Sequence, residues 1–289
     1  MDSPDPFRPT FRAVAWLRCW CLFVLLAVAG PASALYYSKG SIPFAWVDPS
    51  SHTVAAFSNG LQCTNGTYIN APQDDDITAQ IPIGFTFNFG GTDYTQLQIQ
   101  SNGRLQFNNA FCGAGTQSAG PPPTYPYSYP FASLARTMRV YGGDLYPGQN
   151  GAGTVRYATT GTAPNRQFVV TWVNVQEWNS GSSLFNLQII LYETSNNFVF
   201  QYKDTANSLV GHGQIGWEVS TTDFDTFDYG GFGTLAYTAI LWYPNLVTIA
   251  DYHLDETSWN GSSNEVVDSG PNGRHGRAFN GATTADGSD

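Results

Sequence analysis

Charge is scarce in this sequence. Only 12% of its 289 residues are Asp, Glu, Lys or Arg, against a usual fraction of about 25%. Acids outnumber bases 22 to 12, giving a formal charge of -10 and a pI of about 4.6. A phosphate backbone would be repelled, which excludes nucleic-acid binding as a function class. Helical periodicity is missing as well, since no segment repeats its apolar residues every three to four positions. Catalytic patterns are equally sparse. None of the four histidines, His52, His212, His253 and His275, lies near a Gly-x-Ser-x-Gly elbow, and no Cys/His spacing suits zinc. The acids Asp144, Glu177, Glu193 and Glu218 fall near strand ends, but nothing in their spacing sets two of them across a cleft, as glycoside hydrolysis requires. These absences point to a protein that is not an enzyme.

What the chain does hold is 15% aromatic residues, 30 Gly and 17 Pro. Many rings, many turn formers and few charges are the make-up of an all-β extracellular protein. The N-terminus agrees. Arg8, Arg12 and Arg18 precede an apolar run from Cys19 to Ala29, and Pro31-Ala32-Ser33-Ala34 follows. The run is short for a bilayer span, and the pattern is that of an export leader cut after Ala34. The mature chain then keeps two of the four cysteines, Cys63 and Cys112. In an oxidising compartment the expected state of such a pair is one disulfide closing a loop of about 50 residues.

The strand pattern is densest between Asn165 and Lys203. Arg166 to Val175, Leu184 to Tyr192 and Phe198 to Tyr202 are β-branched and aromatic runs of strand length. Glu193 to Asn197 supplies the turn between the last two. In the middle run Phe185, Leu187, Ile189 and Leu191 share one face and Asn186 and Gln188 begin the other, predicting a sheet buried on one side. A second layer must cover that side, so the expected fold is an antiparallel β-sandwich. Further strands are expected at Ile42–Val47 and His52–Phe57 as edge pieces. Others follow at Ile77–Phe89 with Phe85, Phe87 and Phe89 alternating, at Tyr94–Gln100, and at Arg104–Phe107 after the Ser101-Asn102-Gly103 turn. The remainder are expected at Met138–Tyr146, Gly153–Thr159, Gly213–Val219 and Leu235–Tyr243. The proline-rich stretch 121–130 is expected to be a stiff surface loop. Past Asn245 the pattern restarts, with a strand expected at Ala250–Glu256 and a turn at Ser269–Gly273. Fewer than fifty residues of low apolar content cannot bury a core alone, so this part is expected to be the start of a further, truncated domain.

Three of these stretches carry a likeness. Ile81-Pro82-Ile83-Gly84-Phe85-Thr86-Phe87, Ser101 to Phe107, and Gly153 to Tyr157 with Ala163 to Trp172 resemble the nidogen-like β-sandwich modules of bacterial surface proteins. Asp251 to Glu256 and Val267 to Gly276 resemble the opening of a laminin-G-like, concanavalin-type jelly roll. The order of leader, sandwich and jelly-roll start is similar to the N-terminal part of the biogenesis proteins of mannose-sensitive haemagglutinin (MSHA) type IV pili in Gram-negative bacteria. The likeness implies three parts: a signal peptide at 1–34, a nidogen-like β-sandwich at 35–245 and an incomplete jelly roll at 246–289. It further implies a non-enzymatic protein exported to the cell surface, outer membrane or periplasm. Its partners would be pilus or cell-envelope proteins, and no catalytic residues carry over.

Two kinds of binding chemistry remain open. Asp74-Asp75-Asp76 and Asp223-Phe224-Asp225-Thr226-Phe227-Asp228 place carboxylates in presumed loops, and hard oxygen ligands suit Ca²⁺, although neither stretch has the Gly and terminal Glu of an EF-hand. Solvated acidic loops, with no cofactor, are the plainer expectation. Aromatic rings in loops can stack on pyranose faces; Trp178 beside Asn179, and Tyr229 near Phe232, are the candidates for surface glycans, whereas Trp172, Trp217 and Trp242 sit in strand patterns and are expected in the core. The sequons Asn65-Gly66-Thr67 and Asn260-Gly261-Ser262 are expected to be plain turns.

Overall fold

The computed structural model describes residues 36–64, 73–112, 129–141, 143–151, 153–178, 184–205, 215–227 and 235–245, and parts of 252–282. The leader with Ala34, the sequon at Asn65, residues 113–128, and Asp228, Tyr229 and Phe232 lie outside the described residues. All described residues belong to one compact unit, Ala34–Asp289.

Fourteen strands are formed among them. In chain order they are β1 (Tyr37–Ile42), β2 (Thr53–Val54), β3 (Ile81–Phe89), β4 (Thr92–Gln100), β5 (Arg104–Gln106), β6 (Thr137–Arg139) and β7 (Leu145–Tyr146), then β8 (Thr154–Thr160), β9 (Gln167–Glu177), β10 (Leu184–Tyr192), β11 (Phe198–Thr205), β12 (Ile215–Ser220), β13 (Asp223–Phe227) and β14 (Thr238–Pro244). They build two antiparallel sheets. The larger runs β1-β14-β11-β10-β9-β8-β2, with β7 pairing the far end of β9; the smaller runs β13-β12-β6-β5-β4-β3. The expected run of three neighbours is there as β9, β10 and β11, and Thr194 and Asn196 take up positive φ in the turn between the last two.

Alternation explains the layering. In β3 the side chains of Ile81, Ile83, Phe85, Phe87 and Phe89 are buried while Pro82, Gly84 and Thr86 are exposed, the period of two that one covered face demands. This face meets Phe185, Leu187, Ile189 and Leu191 of β10, Phe198 and Phe200 of β11, and Trp242 of β14 in one apolar cluster that also takes in Trp172 and Trp217. The sandwich is therefore real, and the three tryptophans expected in the core are in it, each fully buried.

The expectation of one buried face per sheet needs correction. In β10 every residue from Phe185 to Leu191 is buried. The outer face carries its own small apolar cluster of Val169, Ile190, Val199 and Ala239, against which Ile42 and Val47 pack. Ile42–Val47 is thus not an edge strand beyond Ile42. It leaves β1 as a strap and crosses the outer face of the larger sheet towards β2 at the opposite edge. Side-chain amides hold it where a strand's backbone otherwise would. Ala45 exchanges hydrogen bonds with Gln201, from its N–H to Oε1 (2.8 Å) and to its carbonyl from Nε2 (2.8 Å). Val47 does the same with Gln188 (3.2 and 2.9 Å). The smaller sheet is covered likewise. Arg139 and Glu218 pair at 3.1 Å on its outer face, the Tyr129 ring lies 3.8 Å from the Arg139 guanidinium, and the Phe131 N–H donates to Glu218. Burial without a counter-charge would expel either group; paired, both stay.

In the tail, pairing among the described residues is limited to one isolated bridge, Val266 with Gly276. The strand expected at Ala250–Glu256 is not formed at its described residues beyond a bridge position at Tyr252. A lone ribbon has no neighbours to hold it extended. Tyr252, Leu254, Val267 and Phe279 are exposed. The Asn260 sequon is a turn, its Oδ1 accepting from the Ser262 N–H (3.0 Å).

Candidate functional site

At one end of the sandwich three carboxylates converge. Asp74, Asp75 and Asp144 each present an oxygen within 4.8 Å of the other two, and all three side chains are buried. The turn at Ser101-Asn102-Gly103, which joins β4 to β5, brings them together. On one side the Ser101 N–H donates to the Asp76 carbonyl (2.9 Å) and Ser101 Oγ accepts from the Asp76 N–H (3.1 Å). On the other, the Gly103 carbonyl accepts from the Val140 N–H (3.0 Å) on the segment that leads to Asp144. Gly103 has φ of +78°, and a Cβ there would lie 2.7 Å from the Tyr141 carbonyl, so only glycine permits the approach.

Around the three acids the polar groups are tied in. Asn102 Nδ2 donates to Asp75 Oδ1 (2.7 Å), and the Tyr141 hydroxyl donates to Glu177 Oε1 (2.7 Å). Burial pushes the Asp75 carboxyl above its ordinary range, while the Asn102 hydrogen bond and the Arg104 charge pull it back. Trp178 follows directly. Its backbone N–H donates to the Asp144 carbonyl (2.7 Å), and the residue is 45% exposed. Clustered hard oxygen donors of this kind could hold a divalent cation such as Ca²⁺, with Asp74, Asp75 and Asp144 as the ligand set.

Of the sequence candidates, Asp74 and Asp75 belong to this cluster and Asp76 does not. The Asp76 carboxylate is spent on Ser58 Oγ and the N–H groups of Asn59, Gly60 and Ile77, fixing the loop before Cys63. The second acidic stretch is corrected outright. Asp223–Phe227 is strand β13, not a loop; it pairs with β12, where Gly216 permits close approach because a Cβ would meet the Asp225 carbonyl at 2.2 Å. Asp225 binds Lys39 at 2.6 Å, and Asp223 accepts the Tyr36 N–H at 3.1 Å. The four acids near strand ends divide as well. Glu193 pairs with Arg166 and Glu218 with Arg139, whereas Leu145 opposite Glu177 brings Asp144 and Glu177 to the same end. The part played by Asp144 had no local signal, because 69 residues separate it from Asp75. Trp178 is exposed as expected, and Tyr229 lies outside the described residues.

Cys63 and Cys112 are joined, with Cα atoms 5.5 Å apart, and the Thr64 N–H donates to the Ala110 carbonyl beside them (3.0 Å). The bridge clips the loop before β3 to the segment after β5.

No curated protein and no solved structure matches the chain. A family model does: that of NIDO-related domains, over residues 50–239. The matched span runs from the strap's exit into β2 through the start of β14, taking in both sheets, the disulfide and the acidic end. A disulfide-clipped, nidogen-like sandwich is an extracellular type of module, and by that match over about two-thirds of its length this chain belongs to the NIDO-related family.

Proposed function

We propose that the chain is a non-enzymatic protein exported by a Gram-negative bacterium to its surface, where the sandwich serves as a binding module in MSHA-like type IV pilus biogenesis or adhesion. The pilus biogenesis protein MshQ is the protein its N-terminal order resembles. The observation that carries the reading is the disulfide-closed NIDO-related sandwich behind a leader-like N-terminus. The absence of catalytic spacing in the sequence fits a binding role, and the partners are then pilus or cell-envelope proteins. Deleting the gene in its own host, then shearing and immunoblotting surface pilin beside an attachment assay, tests it. Loss of surface pilin supports a role in assembly, and normal pilin with reduced attachment supports an adhesive role. Normal values of both would overturn the reading.

A second reading is favoured by one juxtaposition, that of the exposed Trp178, whose backbone N–H binds the Asp144 carbonyl, with the Asp74, Asp75 and Asp144 cluster. A calcium-assisted carbohydrate module would use the ring as a stacking face and the cation as a ligand for sugar hydroxyls. Its signature is glycan binding that a chelator abolishes and that Trp178→Ala weakens without lowering the melting temperature.

A further inference from the structure

On the outer face of the larger sheet the strap and the strand edges enclose an open groove of about 720 Å³. One wall is the strap, with Trp46 and Asp48; the floor is Asn174 of β9 and Asn186 of β10; Lys203 of β11 and Arg156 of β8 flank that floor on opposite sides. The Trp46 ring is half-buried, backed by Phe44 at 6.1 Å, and the Lys203 ammonium stands 6.0 Å from its centre.

The charges here run against the rest of the molecule. The chain has two lysines and a net charge of -10. Lys39 is spent on Asp225, and Arg139 and Arg166 on Glu218 and Glu193. Among the described residues Lys203 has no hydrogen-bond partner and Arg156 donates only through Nη1, to the carbonyls of Ser50 (3.3 Å) and His52 (3.1 Å). A guanidinium has five N–H donors, so most of its capacity is still open to a ligand. The groove also holds one carboxylate, Asp48: Oδ1 accepts the Ser50 N–H (2.9 Å) and Oδ2 the Ser50 hydroxyl (3.0 Å), which, with a smaller part from the Lys203 charge, hold its pKa below the ordinary range. On the floor, Asn174 and Asn186 bind each other reciprocally, Asn174 N–H to Asn186 Oδ1 and Asn186 Nδ2 to Asn174 Oδ1, both 3.0 Å. Asn174 has φ of +50° and is exposed, its own amide N–H groups directed to no partner among the described residues.

The geometry points to a binding site for an acidic saccharide, a pyranose bearing a carboxylate. A half-buried indole offers the flat face on which a sugar ring stacks. A cation stands on each side of the floor to receive a carboxylate, Lys203 beside the Trp46 ring on one and Arg156, whose guanidinium binds in a fork, on the other. The asparagine pair offers donors and acceptors to hydroxyls. The site stands on residues separate from the acidic end and does not depend on whether the protein serves a pilus.

The test is a titration of the purified exported chain, followed by tryptophan fluorescence and calorimetry, with trigalacturonate, its neutral methyl ester and triglutamate. Expected are saturable binding of trigalacturonate, binding of the ester weaker by about tenfold, and weaker binding still of the peptide. Lys203→Gln, a change at an exposed position, should weaken the acid by about tenfold and leave the ester unchanged. Trp46→Ala should weaken both sugars, with an unchanged melting temperature showing that the sandwich persists. Equal binding of acid and ester, or no binding of either, would overturn the assignment. So would triglutamate bound as tightly as the sugar and indifferent to Trp46→Ala, because the groove would then read peptide charge.

Discussion

The Asp76 carboxylate accepts four hydrogen bonds, three of them from backbone N–H groups, and is fully buried. Removing it leaves the buried Ile77 N–H unpaired and frees the loop donors of Ser58, Asn59 and Gly60 that it gathers. Asp76→Ala should therefore cost about 3 kcal/mol of unfolding free energy by denaturant titration, whereas a surface acid changed to Ala should cost almost nothing. Glu193 acts through charge. Its carboxylate holds Arg166 through Nε (2.8 Å) and Nη2 (2.5 Å), and the guanidinium beside it lowers its pKa to about 2 from 4.5. Because the folded pKa is the lower one, this pair stabilises the fold above about pH 4.5, and the contribution fades as pH falls towards 2. Glu193→Gln should lower the melting temperature at pH 7, with the gap from the wild type closing across that window. Asp75 and Glu218, whose pKa values burial raises, have the opposite sign and favour folding less as pH rises above the ordinary carboxylate range.

Among the elements, the strap is the least conventional. Thr171, Gln188 and Gln201 stand side by side on β9, β10 and β11, and the two glutamines reach the strap's backbone groups. Gln201→Leu keeps the strand but strands the Ala45 N–H and carbonyl. It should cost about 2 kcal/mol and speed amide exchange at Ala45 while the β10 amides stay protected. Alternation made most strands legible in the sequence: Phe85, Phe87 and Phe89, or Leu187, Ile189 and Leu191, can bury together only as strands on one face. The same rule misled where polar residues are buried. Gln188 and Gln201 look solvent-facing by type, yet their amides stand in for a missing neighbour's backbone. Asp223 and Asp225 look like loop acids, yet their partners Tyr36 and Lys39 lie some 186 residues away. Pairings at that separation leave no local mark, and for this reason neither the Asp144 convergence nor the groove at Trp46 could be located before the strands were paired.

For the whole molecule, the disulfide is the main covalent constraint on the described sandwich. It spans 49 residues and encloses β3, β4 and β5. Releasing a loop of that length is worth roughly 3–4 kcal/mol in the chain-entropy model. Cys63→Ala should lower the melting temperature by several degrees under oxidising conditions and make no difference in the presence of reductant. The wild type treated with reductant should melt with the variant.

The two ends of the sandwich meet. Tyr37 pairs with Pro244, and the Asn245 N–H donates to the Tyr36 carbonyl at 2.8 Å. With its two ends side by side, the module would add almost no length to anything joined through both. Tension between those ends opens β1 from β14 as a zipper, six pairs taken one at a time, and the next piece to come away is the strap that walls the groove. Force spectroscopy on the exported chain should show a first, low-force extension of β1 and the strap before the sheets part. A module built this way would let go of whatever the groove holds when its ends are pulled, well before it unfolds.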